Sequence, residues 1–127
     1  MAGGVVQITL GGASYHMKPS YGSMRDIETR TDFTVTELLE LVIAQRLKIQ
    51  EAALVIWFAC QAAGEGFDSI EAVGDVLFEE KLTSPALRKS LSQFLLNCLY
   101  APAEAKKKFE DEVGPILMAD LDQNATG

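Results

Sequence analysis

The sequence is poor in most of what catalysis and metal binding draw on. Its 127 residues include one histidine, two cysteines and one tryptophan. His16 has no Cys or His partner nearby in sequence, so zinc lacks a ligand set, and no metal or other cofactor is expected. Cys60 and Cys98 belong to no CxxC pair, and each lies in an apolar stretch. They read as small buried hydrophobes in a reducing compartment, with a disulfide or a reactive thiol as the alternative. Positive charge is also scarce. Eleven Lys and Arg stand against 18 Asp and Glu, a net charge of −7, so the clustered positive surface that nucleic acid requires is not expected. Long apolar runs are missing: Ala52 to Cys60 covers nine residues, where a membrane-spanning helix needs about 20. Met1-Ala-Gly-Gly-Val-Val-Gln7 carries neither the basic nor the apolar part of a secretory signal, so the expected location is inside a cell.

What remains is the composition of a folded soluble domain, 48% apolar and 23% charged. A chain of this length removes roughly two-thirds of its unfolded surface from water, enough for one core, and residues 1–127 are expected to form one domain. The expected fold class is mainly α, formally α+β: an N-terminal β-hairpin packed on a bundle of about five to six helices. Residues 5–18 supply the hairpin, 21–100 the bundle, and 101–127 a charged C-terminal segment.

The hairpin follows from alternation. Val6, Ile8 and Leu10 alternate with polar residues, as do Ala13, Tyr15 and Met17, and Gly11-Gly12 between them supplies the positive φ that a two-residue turn demands. A lone hairpin is marginal in water, so its apolar face must lie on the helices. From Tyr21 the period becomes helical, with Tyr21, Met24 and Ile27 on one side. Thr34-x-x-Glu37 is a capping box opening a helix to about Leu47. Residues 49–63 are apolar almost all round, as in the central helix of a bundle, and at least one of Trp57 and Phe58 should be wholly buried. Asp68-x-x-Glu71 repeats the capping signal for a helix carrying Ile70, Val73, Val76 and Leu77, and Ser84-Pro85 opens the most regular helix, with Leu87, Leu91, Phe94, Leu95, Cys98 and Leu99 inward. Gly114-Pro115 is expected to break the last helical stretch.

Site chemistry is not evident. His16 reads as an exposed strand residue rather than a catalytic base, since no Ser, Cys or Asp is placed to use it. Gly3-Gly4, Gly11-Gly12 and Gly64-Glu-Gly66 are turns rather than phosphate loops. The acidic groups Glu79-Glu80, Glu110-Asp111-Glu112 and Asp120/Asp122 lack calcium-loop spacing and read as solvated helix faces, and Lys106-Lys107-Lys108 is neutralised by its acidic neighbours. An interaction or assembly protein is expected, not an enzyme. The candidate partner contact is C-terminal: Phe109, Val113, Leu117 and Leu121 recur every four residues with Ile116 adjacent. Either this stripe binds a partner or it folds back on the bundle.

The order of features resembles a family of small proteins from phage tail gene clusters and gene transfer agents. The resemblance rests on Val6-Gln-Ile-Thr-Leu-Gly-Gly-Ala-Ser-Tyr15, then Gly22-Ser-Met-Arg-Asp-Ile-Glu28, a Leu-rich helix, Ala62-Ala-Gly64 and Phe94-Leu95-Leu96, and covers about residues 4 to 100. The charged C-terminal segment departs from the family pattern. Members are labelled either tail tube protein or tail assembly chaperone. A tube subunit should be strand-rich over most of its length, whereas only residues 5–18 read as strand, which favours the chaperone. What the resemblance then implies is binding to the tape-measure and tail tube proteins in the bacterial cytoplasm, without nucleic acid or membrane, and with homo-oligomerisation left open. A structural tail protein retained in the virion, or a small acidic regulator of a host protein, is the alternative.

Overall fold

The computed structural model describes the backbone of residues 4–126 and the side chains of residues 4–120. Two strands, β1 (Val6–Leu10) and β2 (Ala13–Met17), precede the helices α1 (Tyr21–Thr31), α2 (Val35–Ile43), α3 (Ile49–Ala62), α4 (Ile70–Glu80) and α5 (Pro85–Leu99). The chain closes with α6 (Pro102–Lys108), a π turn (Phe109–Val113) and α7 (Gly114–Thr126), which follow one another without interruption. Counting that run once, the described residues form a hairpin on six helices, the mainly α class expected.

The strands are antiparallel, with Ile8 opposite Tyr15 and Val6 opposite Met17, and both turn glycines have positive φ, 60° and 81°. This register turns Ile8, Leu10 and Met17 into the core, each burial contributing about 1.5–3 kcal/mol. The hairpin is tied to α3 by the Lys18 N–H donating to the Ala59 carbonyl at 3.0 Å. It is tied to α5 by Ser90 Oγ donating to the Gln7 carbonyl (3.2 Å) and Asn97 Nδ2 to the Gly4 carbonyl (2.8 Å). Phe94, Leu95, Leu38, Ile56 and Leu77 share one buried cluster with the hairpin residues.

Capping follows the sequence at two starts and departs from it at a third. Glu37 N–H donates to Thr34 Oγ1 while Thr34 N–H donates to the Glu37 carboxylate, a complete capping box. Ser84 caps α5 with Pro85 at its first position. The cap of α4, however, is Ser69, whose Oγ accepts from Ala72 N–H at 3.1 Å. Asp68 and Glu71 are thereby left exposed.

Four other expectations are corrected. The second helix ends at Ile43 rather than near Leu47, because Gln45 takes a left-handed φ of 57° and Arg88 occupies the last carbonyls of α2. Tyr21 is 80% exposed; the inward face of α1 is the apolar Ile27 flanked by Ser23 and Thr31, whose hydroxyls donate to the backbone carbonyls of Lys18 and Ile27. Neither Trp57 nor Phe58 is wholly buried: Ala52, Val55, Ile56, Ala59 and Cys60 face the core, and a second side of α3 lies open. The element touching most of the others is α5, which packs on β1, α2, α6, the π turn and α7.

Gly114-Pro115 does not break the chain. Proline lacks the N–H for an α-helical bond and its ring collides with the carbonyl four residues back. The π turn meets both demands, widening the backbone so that Gly114 N–H reaches Phe109 O.

Candidate functional site

Two helix seams stand out, one closed and one open. The closed seam holds the C-terminal stripe. Val113 and Leu117 are buried, Phe109 is half-buried against the core, and Ile116 points outward at 42% exposure. The side chain of Leu121 lies outside the described residues. The structure therefore brings three of the five candidate residues together as a layer over α5 and leaves Ile116 on the opposite side, so the stripe is not one docking face in this folded state. Its physical cause is the wide turn, which keeps Val113 and Leu117 in phase with the bundle.

Arg88 locks this seam. It is 5% exposed. Its Nη2 donates to the carbonyls of Val42 (3.4 Å) and Ile43 (3.0 Å) and to Asp120 Oδ2 (2.9 Å). A cation thus closes the C-terminal end of α2, where unpaired carbonyls and the helix dipole favour positive charge, and the same guanidinium anchors α7.

The open seam lies between α3 and α4. It forms a groove of about 850 Å³ lined by Ile49, Ala53, Leu54 and Trp57 from α3, Ile70, Gly74 and Phe78 from α4, and the charged Arg30, Asp68, Glu71 and Asp75. Phe78 is 62% exposed, stabilised there by Lys81 Nζ lying 3.9 Å from its ring centroid. Trp57 is half-buried at the groove floor. Sequence reading missed this site because it assigned Asp68 and Glu71 to a helix cap and expected at least one of Trp57 and Phe58 to be wholly buried. Phe78, which falls outside the inward stripe of α4, and Gly74, set in mid-helix, were the available signals.

His16 sits on the exposed face of β2, as expected, but it is not alone. Its Nδ1 lies 2.6 Å from Glu65 Oε2, and its backbone N–H donates to Glu65 Oε1 at 2.8 Å. These side-chain and backbone hydrogen bonds hold the Glu65 carboxyl below the usual range. The pair straps the loop after α3 to the hairpin, where Tyr15 also stacks on Phe67 at 4.4 Å. Both cysteines are free thiols, and burial pushes each up to about 12, which leaves them protonated and poorly nucleophilic. Among the described residues no cluster of three or more His, Cys, Asp or Glu could hold a metal ion, and no helix is long and apolar enough to cross a membrane.

Comparison with protein-family models, with curated proteins and with solved structures finds no match in any of the three.

Proposed function

We infer that this chain is a non-enzymatic tail-assembly chaperone, which holds a helical segment of the tape-measure protein and recruits tail tube subunits during phage or gene-transfer-agent tail assembly in the bacterial cytoplasm. The observation that carries the reading is the open apolar groove between α3 and α4, with Phe78 62% exposed and Trp57 half-buried along it. Exposed apolar surface of this kind marks a contact with another macromolecule, and a trough between two helices suits an amphipathic third. The identity of the partner comes from the sequence resemblance. Strand is confined, among the described residues, to Val6–Leu10 and Ala13–Met17, which supports the chaperone label over that of a tube subunit.

The test is co-expression of the tagged chain with fragments of the tape-measure protein and with the tube protein encoded beside its gene. A stable complex with a helical tape-measure fragment, and absence of the chain from purified particles by mass spectrometry, is the expected result. Failure to capture any tape-measure fragment overturns the reading, and stoichiometric presence in the particle favours the structural tail protein instead.

A further inference from the structure

Gly74 lies at the middle of α4, where glycine is a poor helix former. Neither of the usual reasons for glycine applies. Its φ is not in the left-handed region, and outside its own helix no atom lies within 4 Å of the position a Cβ would take. Gly74 lines the groove, with the small buried Ala53 among the lining residues from α3. The chain thus keeps a low wall at a place where its own fold gains nothing from one, as a helix does when another backbone crosses it closely.

The groove also has an electrical sidedness. Asp68, Glu71 and Asp75 line the α4 side, all exposed, and none joins an ion pair among the described residues. Arg30, from the end of α1, is the one cation among the groove-lining residues. Along α3 the groove runs from Ile49 to Trp57, about 12 Å of helix axis, or two turns of a third helix.

We propose that the α3–α4 groove receives an amphipathic helix whose apolar stripe lies on Leu54, Trp57 and Phe78, whose backbone passes closest at Gly74, and whose flank toward α4 carries Lys or Arg opposite Glu71 and Asp75. The proposal rests on the groove being a helix-binding surface and specifies the chemistry of its occupant. Apolar burial supplies the affinity, and the acidic wall fixes orientation and discriminates against acidic helices.

The test uses two fluorescein-labelled designed peptides of about 20 residues, long enough to be helical, with the same Leu/Ala stripe but flanked by Lys in one and by Glu in the other. Anisotropy titration of the full chain should show the Lys peptide binding at least about tenfold tighter, the gap narrowing in about 0.5 M salt. Because the whole chain is acidic, Gly74→Leu is the decisive variant. It leaves net charge unchanged, fills the trough, and replaces glycine with a strong helix former, so Tm should hold or rise by about 2–5 °C while affinity for the Lys peptide falls at least about tenfold. The double variant Glu71→Lys/Asp75→Lys should reverse the preference between the peptides. Equal binding of both peptides, or Gly74→Leu binding as the parent does, overturns the proposal. So does a concentration-dependent dimer that Gly74→Leu abolishes, since a second copy would then be the occupant. If Gly74→Leu still captures a tape-measure fragment, the groove assignment fails while the chaperone reading stands; if the parent binds the Lys peptide but captures no such fragment, the reverse holds.

Discussion

The α5–α7 seam and the α3–α4 seam are built from similar apolar residues and end in opposite states. At the first, Val113 and Leu117 are covered, and one buried guanidinium gathers two carbonyls and a carboxylate. At the second, Phe78 is exposed and Trp57 only half-buried beside a glycine, and the acids on the rim have no ion-pair partner among the described residues. An apolar stripe in a sequence shows that a surface needs covering. It does not say whether the same chain covers it, and here the polar group that meets the stripe makes the difference.

The largest expected effect tests the closed seam. Deleting residues 103–127 removes Val113 and Leu117, uncovers the side of α5 on which they lie and strands Arg88, and should cost about 3–6 kcal/mol. Against a typical total of about 5–15 kcal/mol that would show as a large drop in the urea midpoint. A deletion that melts like the parent would make this seam as loose as the other one, and would restore the C-terminal stripe as the candidate partner contact. Arg88→Ala comes next, at about 2–4 kcal/mol, because it leaves the half-buried Asp120 and the carbonyls at the end of α2 without their donor. A loss under about 1 kcal/mol would mean that water satisfies these groups.

The open seam is sharpened by two neighbours on α3. Ile56→Ala should cost about 2–5 kcal/mol, whereas Trp57→Ala, despite removing a larger side chain, should cost about 1–2 kcal/mol because one side of the ring is already in contact with water. Trp fluorescence of the free protein should accordingly be red-shifted from that of a buried indole, and should move to the blue when the Lys peptide binds. Equal losses at the two positions would place Trp57 in the core.

The smallest effect lies away from both seams. Glu65 is held below the usual carboxylate range by His16, so its contribution to stability is present above the unfolded carboxylate value and is lost as pH falls through the lower folded value. Glu65→Gln should therefore differ slightly from the parent in urea melts near neutrality and converge with it in acid. Divergence that grows toward low pH would refute the assignment.

Much of the fold was legible because its signals are local. Gly11-Gly12, Thr34-x-x-Glu37 and Ser84-Pro85 each specify a backbone event within four residues, and each occurs where expected. The misreadings share a different cause. Whether Asp68 or Ser69 caps α4 depends on a one-residue shift between two good capping residues, and the Glu three residues after Asp68 pointed to the wrong one. The halt of α2 before Leu47 involves a guanidinium 45 residues further on. Trp57 and Ile56 are adjacent and comparably apolar, yet only the packing of α1, α4 and the hairpin on α3 decides which faces the core. The groove was hidden for the same reason: no periodicity marks a surface by what fails to cover it.

The ties between the hairpin and α5 have a kinetic meaning. Asn97 holds the carbonyl of Gly4 across 93 residues of sequence, and Ser90 holds that of Gln7 across 83. A nascent chain lengthening at about 5–20 residues per second would leave β1 waiting about 5–20 s for that support, with Ile8 and Leu10 lacking their final cover in the interval. The hairpin cannot gain its final support before α5 is made, so during translation the earliest-made strand is the one that waits longest for its cover.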